Sequence, residues 1–410
     1  MNDKTWTLRN VAVIDGTGAP REVNQALVVD DGRVAWRGPA ELAPPFERGR
    51  VIEGAGMTLV PGLVNSHVHL VGACTGDLAQ QVASDSTTLS AVRAARNAAD
   101  TLECGITAVR DCGARDGVVV ELARAVAAGL TPGPRIVPAG RVITMTGGHG
   151  HFMGREADGA DAVCRSVRRE IKDGAHFIKI MSTGGIVTPG VDPGQTGLGL
   201  DELQAATRAA HAAGKRVAAH AIGREGIKNA LLAGVDSIEH GFWLDEELFD
   251  IAGERGVFLV PTLLAVRSIV EHGPLGGAPG WMLDKAGAVS ERVSDMFASA
   301  VRAGMNISAG TDAGTPFNPH TDLVRELTLM VQIGLSPMDA LMSATSRAAT
   351  NLGIDDITGT VEVGKQADLV LVGSDPLQDI SVLRSPQLVS IGGRFAVDRV
   401  SQRHREPVAC

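Results

Sequence analysis

Between residues 60 and 355, eight short apolar runs alternate with Ala-rich stretches of helical pattern, and this alternation leaves the chain few folds to choose from. The runs begin near Leu59, Thr107, Arg135, Phe177, Val217, Ser237, Val257 and Asn306; stretches such as 89–104 and 201–213 lie between them. Eight strands joined by helices over roughly 300 residues suit an α/β fold, a (β/α)8 TIM-like barrel. The rival is a doubly wound open sheet. A G-x-G-x-x-G opening a helix after the first strand would favour it, and none is present. Fifty Gly without a low-complexity repeat fit many tight strand–helix turns.

The two ends have a different texture. Thr7 to Ile14, Ala26 to Asp30 and Arg33 to Trp36 read as short strands, with Asp30-Asp31-Gly32 as a hairpin signal. Asp368 to Val372, Leu388 to Ile391 and Arg394 to Val397 read the same way. Neither end alone could bury a stable core. The expectation is a composite β-sandwich from residues 1–58 and 359–402, with the barrel in 59–358.

Charge and cysteine usage exclude several classes. With 38 basic and 47 acidic residues the net charge is −9, which predicts no nucleic-acid partner and no attraction to an anionic membrane. No run reaches ~18 apolar residues, so no membrane span is expected. The first twenty residues hold no long apolar core, so no signal peptide is expected either. The five Cys (74, 104, 112, 164 and 410) form no C-x-x-C pair. Free thiols suit a reducing compartment, and a cytoplasmic protein is expected. The chain has no Tyr, so no step can use a phenol.

In a barrel of this kind, chemistry sits at the C-terminal ends of the strands. Strand one ends Asn65-Ser66-His67-Val68-His69, and two His two apart share one face of a strand. They suit a divalent cation such as zinc, or are simply surface histidines. Strand four, Phe177-Ile178-Lys179-Ile180-Met181, places Lys179 in an apolar run, where a charge is costly unless paired or modified. A neutral amine there could take up CO2 and become a carbamate. His220 closes strand five and His240 strand six, and each alone would suit a satisfied core histidine. Asp312 ends strand eight in Gly310-Thr311-Asp312-Ala313-Gly314, where it could also be a helix N-cap. Together they supply ligands for two divalent ions. Such ions lower the pKa of a bridging water and polarise a carbonyl, and Asp312 could then shuttle the proton.

These residues resemble the amidohydrolase superfamily over nearly the whole chain. The motif Leu59-Val60-Pro61-Gly62-Leu63-Val64-Asn65-Ser66-His67-Val68-His69 is similar to its first-strand signature. Gly359-Thr360-Val361-Glu362-Val363-Gly364-Lys365-Gln366-Ala367-Asp368 is similar to its return into the small β-domain. The resemblance implies a distorted barrel, a metal-dependent hydrolase and two divalent metal ions, usually zinc. It implies that His67, His69 and Asp312 hold the more buried metal and His220 and His240 the more exposed one. N6-carboxylated Lys179 would bridge them, and a metal-bridging hydroxide would attack the substrate. Thr146 to Gly150 and Lys179 to Gly185 resemble the imidazolonepropionase-related, prolidase-like group, which cleaves dipeptides or N-acyl amino acids.

The expected activity is therefore hydrolysis of an amide bond in a small amino-acid-derived substrate. The alternative is a lactam, carbamate or ester of xenobiotic type. A non-enzymatic scaffold would have lost ligands that are all present here, and deaminases of this fold usually lack the strand-four Lys. A small-molecule substrate and a homo-oligomer are the expected partners.

Secondary candidates surround this set. His149, in Gly148-His149-Gly150-His151 after strand three, could donate a hydrogen bond to the substrate oxyanion; His151 is the weaker choice. The Gly/Pro-rich loop 184–199 reads as a lid, with Gln195 and Thr196 as possible substrate contacts. Arg110 and Arg224 are the candidates for a substrate carboxylate. Thr262, His176, His211, His272, Cys74 and Cys112 are expected to play no part, and 267–288 reads as irregular.

Overall fold

The computed structural model describes residues 4–45 and 49–403; Cys410 lies outside them. The small domain begins with β1 (Trp6–Val13), β2 (Glu22–Asp30), β3 (Arg33–Pro39), β4 (Arg50–Glu53) and β5 (Thr58–Pro61). The chain then enters the barrel strands β6 (Leu63–Val68), β7 (Ile106–Asp111) and β8 (Arg135–Pro138). Two short strands, β9 (Ile143–Thr144) and β10 (Arg155–Glu156), follow. The barrel continues with β11 (Ile178–Met181), β12 (Val217–Ala221), β13 (Ser237–His240), β14 (Phe258–Val260) and β15 (Asn306–Ile307). The small domain closes with β16 (Leu369–Val372), β17 (Leu388–Ile391) and β18 (Arg394–Asp398).

The two ends of the chain do meet. Their eight strands form one continuous sheet, ordered β18-β17-β16-β5-β1-β2-β3 with β4 beside β1. The join is the antiparallel pair of β5 with β16, so the 58–61 segment belongs to this sheet. The sheet folds over one core containing Trp6, Leu8, Leu27, Val29, Leu59, Leu369, Leu371 and Leu388. Its hairpin tips touch. A Cβ on Gly32 would lie 2.5 Å from the Gly392 carbonyl, so only glycine fits there. Asp31 and Gly32 both have positive φ (44° and 81°), the conformation a two-residue hairpin needs.

The eight barrel strands are buried along almost their whole length, as expected of parallel strands covered by helices. β6 to β8 pair in parallel, and β9 and β11 to β15 form the remaining arc. The ring closes through Ser66 N–H to Ala309 O (2.8 Å), Asp312 N–H to His67 O (2.8 Å) and His69 N–H to Ala313 O (2.7 Å). Between β8 and β11 the sheet is broken, and His176 N–H to Pro138 O (2.8 Å) spans the gap. The barrel is therefore distorted.

The 267–288 stretch is not irregular. It belongs to two helices, Leu263–Gly276 and Gly280–Arg302, separated by a turn at Gly277 with φ 79°. The second helix buries Met282, Ala286, Val289, Val293, Met296, Phe297 and Ala300. That helical period runs well past residue 288, so the shorter stretch hid it. No helix among the described residues is long and apolar enough to cross a membrane.

Candidate active site

At the C-terminal ends of the strands, His67, His69, His149, Lys179, His220, His240 and Asp312 line one cavity of about 50 Å³. Strand register brings them there. His67 lies near the end of β6 and His69 just beyond it, Lys179 sits within β11, and His220 and His240 lie at the ends of β12 and β13. Asp312 follows β15 with φ 59°, and His240 has φ 73°. Backbone strain at a side chain that faces a cavity is a mark of a functional site.

Each histidine is fixed by the ring nitrogen that faces away from the cavity. His67 Nδ1 meets Glu239 Oε2 at 2.8 Å, and His69 Nδ1 donates to the Gly113 carbonyl at 3.0 Å. Their Nε2 atoms both lie 3.4 Å from Asp312 Oδ1. His220 Nε2 donates to Gly184 O (2.8 Å), which leaves its Nδ1 toward the cavity. His240 Nδ1 meets Thr262 Oγ1 (2.7 Å), which leaves its Nε2. One donor atom each from His67, His240 and Asp312 lie within 4.8 Å of one another. The bonds to Glu239, Gly113, Gly184 and Thr262 are the outer support that metal-binding imidazoles need.

Two polar atoms at the centre make no hydrogen bond. Lys179 is 1% exposed and its Nζ makes no hydrogen bond; Asp312 Oδ1 accepts none either. A buried amine with no partner costs several kcal/mol unless something else satisfies it. Imidazole nitrogens with a carboxylate oxygen are a donor set that suits a divalent cation. The residues present therefore fit bound metal.

Electrostatics agree for three of the four strand histidines. Burial lowers the pKa of His67, His220 and His240 well below the usual histidine range, with neighbouring cationic groups adding to it. Neutral imidazoles are the form that binds metal. Burial also acts on His69, but the Asp312 and Asp111 carboxylates outweigh it and hold His69 above the usual value.

His149 is buried, and its ring centroid lies 4.3 Å from that of His220. Its Nδ1 meets Thr188 Oγ1 at 2.8 Å, and that oxygen also accepts the Gly150 N–H at 3.1 Å. This contact holds Nδ1 away from the cavity and leaves Nε2 toward it. Burial, helped by Lys179 and Lys285, pushes its pKa down to about 3. A Cβ on Gly185 would lie 2.4 Å from the His149 ring, which explains glycine at that position.

Other candidates fall outside the cavity. Arg110 is 3% exposed and bonds Ser66 O, Ser237 Oγ and Glu239 Oε1. It holds the carboxylate that orients His67 and cannot reach a substrate. Arg224 pairs with Asp245 and Glu247 at the surface. His151 is exposed and turned back onto Gly148 O; Gln195 and Thr196 are exposed and do not line the cavity. His211 pairs with Asp236, and His272 lies near Glu271. Burial raises the Cys74 and Cys112 thiols to about 11 and 12, so neither is a thiolate nucleophile.

The sequence reading missed the supporting shell. Glu239 is fully buried next to His240, and the cost argument applied to Lys179 would have found it. Thr262, set aside as a packing residue, holds His240 from a left-handed backbone at φ 49°. Glu326 accepts the N–H groups of Leu263 and Leu264 (2.8 and 2.7 Å) and so braces that turn. Burial raises its pKa to about 8, and those N–H bonds pull the other way.

The fold and this cavity define a metal-dependent hydrolase, and comparison with known proteins agrees. The amidohydrolase family model matches residues 58–400, and the chain belongs to that family. Ochratoxinase from Aspergillus niger is 29% identical, covering 92% of this chain and 83% of its own. Imidazolonepropionase from a Shewanella species is 26% identical, covering 90% and 92%. The crystal structure of a Xaa-Pro dipeptidase with methionine bound in its active site superposes with a TM-score of 0.87. It is 32% identical, covering 95% of this chain and 99% of its own.

Proposed function

We propose that this chain is a binuclear-metal hydrolase that cleaves an amide bond in a dipeptide or N-acyl amino acid. The observation that carries this is Lys179 Nζ and Asp312 Oδ1, which make no hydrogen bond although they are buried among inward-facing imidazoles. His67, His69 and Asp312 would hold the inner metal, and His220 and His240 the outer one. Lys179, as its N6-carboxylate, would join them. The two ions, zinc in this reading, would supply a more acidic water and a polarised carbonyl.

The protein's own groups do the rest. Asp312 takes the proton from the attacking water and returns it to the leaving nitrogen. His149 stays neutral and donates its Nε2–H to the oxyanion, the role a Tyr cannot fill here. Leu78, Phe152, Met153, Ile222, Phe242 and Ile269 form apolar walls. The favoured substrate side chain is therefore apolar. The dipeptidase and ochratoxinase relatives support an amide substrate. A cytoplasmic location fits the free thiols of Cys74, Cys104, Cys112 and Cys164.

One observation favours a second reading. Among the described residues lining the cavity there is no arginine, so a free carboxylate has no bidentate partner there. A neutral lactam, carbamate or ester would need none.

A library separates the two. Zinc-loaded protein is incubated with L-Xaa-L-Xaa dipeptides and N-acyl amino acids, with and without chelator, and free amine is measured. Chelator-sensitive release that favours apolar residues is the expected result. Silence toward these compounds with turnover of neutral lactams, carbamates or esters would move the reaction to the second reading. Silence toward all of them would refute both.

A further inference from the structure

We infer that Lys285 is a positioning residue. Its ammonium holds residues 184–191 in the shape that orients two of the cavity's histidines. The inference deepens the hydrolase reading above and rests on it for its catalytic consequence.

Lys285 lies in the first turns of the helix Gly280–Arg302, across from the loop. Its Nζ donates to Gly185 O (3.3 Å), Thr188 O (2.7 Å) and Val191 O. An ammonium has three N–H groups, and here one loop accepts all three. The Trp281 ring packs against the same ammonium, with its centroid 5.1 Å away. That contact strengthens the hold on a partly desolvated cation.

The clamped segment has no regular secondary structure between Gly184 and Val191, and it includes Pro189 and Gly190. Its shape must therefore come from tethers. The flanks are tied by Gly184 N–H to Gln195 O (2.8 Å) and by a bridge between Thr183 and Thr196. Inside the segment, Lys285 ties three carbonyls.

What the segment carries makes the clamp matter. Gly184 O accepts His220 Nε2 (2.8 Å), and Thr188 Oγ1 meets His149 Nδ1 (2.8 Å). Ile186 and Val187 form part of the cavity wall. The two tethers therefore set which nitrogen of His220 and of His149 faces the substrate. The ammonium gives this loop one defined position at the cavity wall.

The test compares wild type, Lys285→Met and Lys285→Arg in the full chain. Methionine keeps the length and apolar stem but removes all donors; arginine keeps donors. Hydrogen exchange of amides 184–197 needs no substrate and is measured first, with and without zinc. In Lys285→Met it should speed up about tenfold or more, while residues 290–302 of the helix exchange as in wild type. With the best library substrate, kcat should fall about tenfold or more with KM changed less than about threefold, because a misplaced group costs rate. Lys285→Arg should recover most of both.

Unchanged loop exchange in Lys285→Met would overturn the clamp. Faster exchange with unchanged kcat would overturn the positioning role and leave a structural tether. If wild type turns over nothing in the library, the dipeptide and N-acyl amino acid reading fails, while the exchange data still decide the clamp.

Discussion

Replacing Lys179 is expected to remove metal and activity together. Lys179 sits in the middle of β11, fully buried, with no hydrogen-bond partner for Nζ. As a free ammonium it would be an uncompensated buried charge. As a neutral amine it can attack CO2, forming an N–C bond and releasing one proton. The resulting carbamate has two oxygens where the amine had one nitrogen. A Lys179→Ala variant loses that anion, and metal chemistry contributes several kcal/mol to the barrier, so kcat should fall ~10³-fold or more. Alanine also leaves a cavity, at about 2–5 kcal/mol for a large buried side chain. Lys179→Met fills the space and controls for that loss. Both variants should fall below two metals per chain, and short carboxylic acids should partly restore Lys179→Ala. Full activity with two metals bound in either variant would rule the carbamate out.

Asp312→Asn is the second large effect. Asp312 stands at φ 59°, and Asn is one of the few residues that tolerates that backbone. The fold should survive with Tm near wild type. The amide retains an oxygen at the cavity but cannot accept the proton of an attacking water. Loss of a general base lowers kcat by about 10²–10⁴-fold. Removing metal affinity as well would deepen the loss, so metal content is measured beside kcat. A near-normal kcat with normal metal content would assign the proton transfer to another group.

The barrel was legible because its strands are short apolar runs of buried, parallel type, spaced by amphipathic helices. The grouping of polar residues around one cavity was legible for the same reason. A His, Lys or Asp within or just after an apolar strand is out of place unless it does something. The helices over 267–288 were less so. Pro274 and Gly276-Gly277 interrupt the sequence there, and the apolar period that identifies the second helix runs on to Ala300. The supporting contacts were hardest to read. Glu239, Thr262, Thr188 and Lys285 act on histidines or loops far away in sequence, and only the fold brings them together. Arg110 shows the reverse error. Its position at a strand suggested a substrate contact, whereas its side chain turns inward to Glu239 and Ser66.

The most direct test of the central claim is metal content together with the chemical state of Lys179 in the wild-type chain. The protein would be loaded with zinc in 13C-bicarbonate, assayed for zinc per chain, and examined by 13C NMR. Two zinc ions per chain and a protein-bound carbamate signal that Lys179→Met abolishes is the expected result. One zinc or none, with no labelled carbon on the protein, would contradict the binuclear site and the reaction built on it.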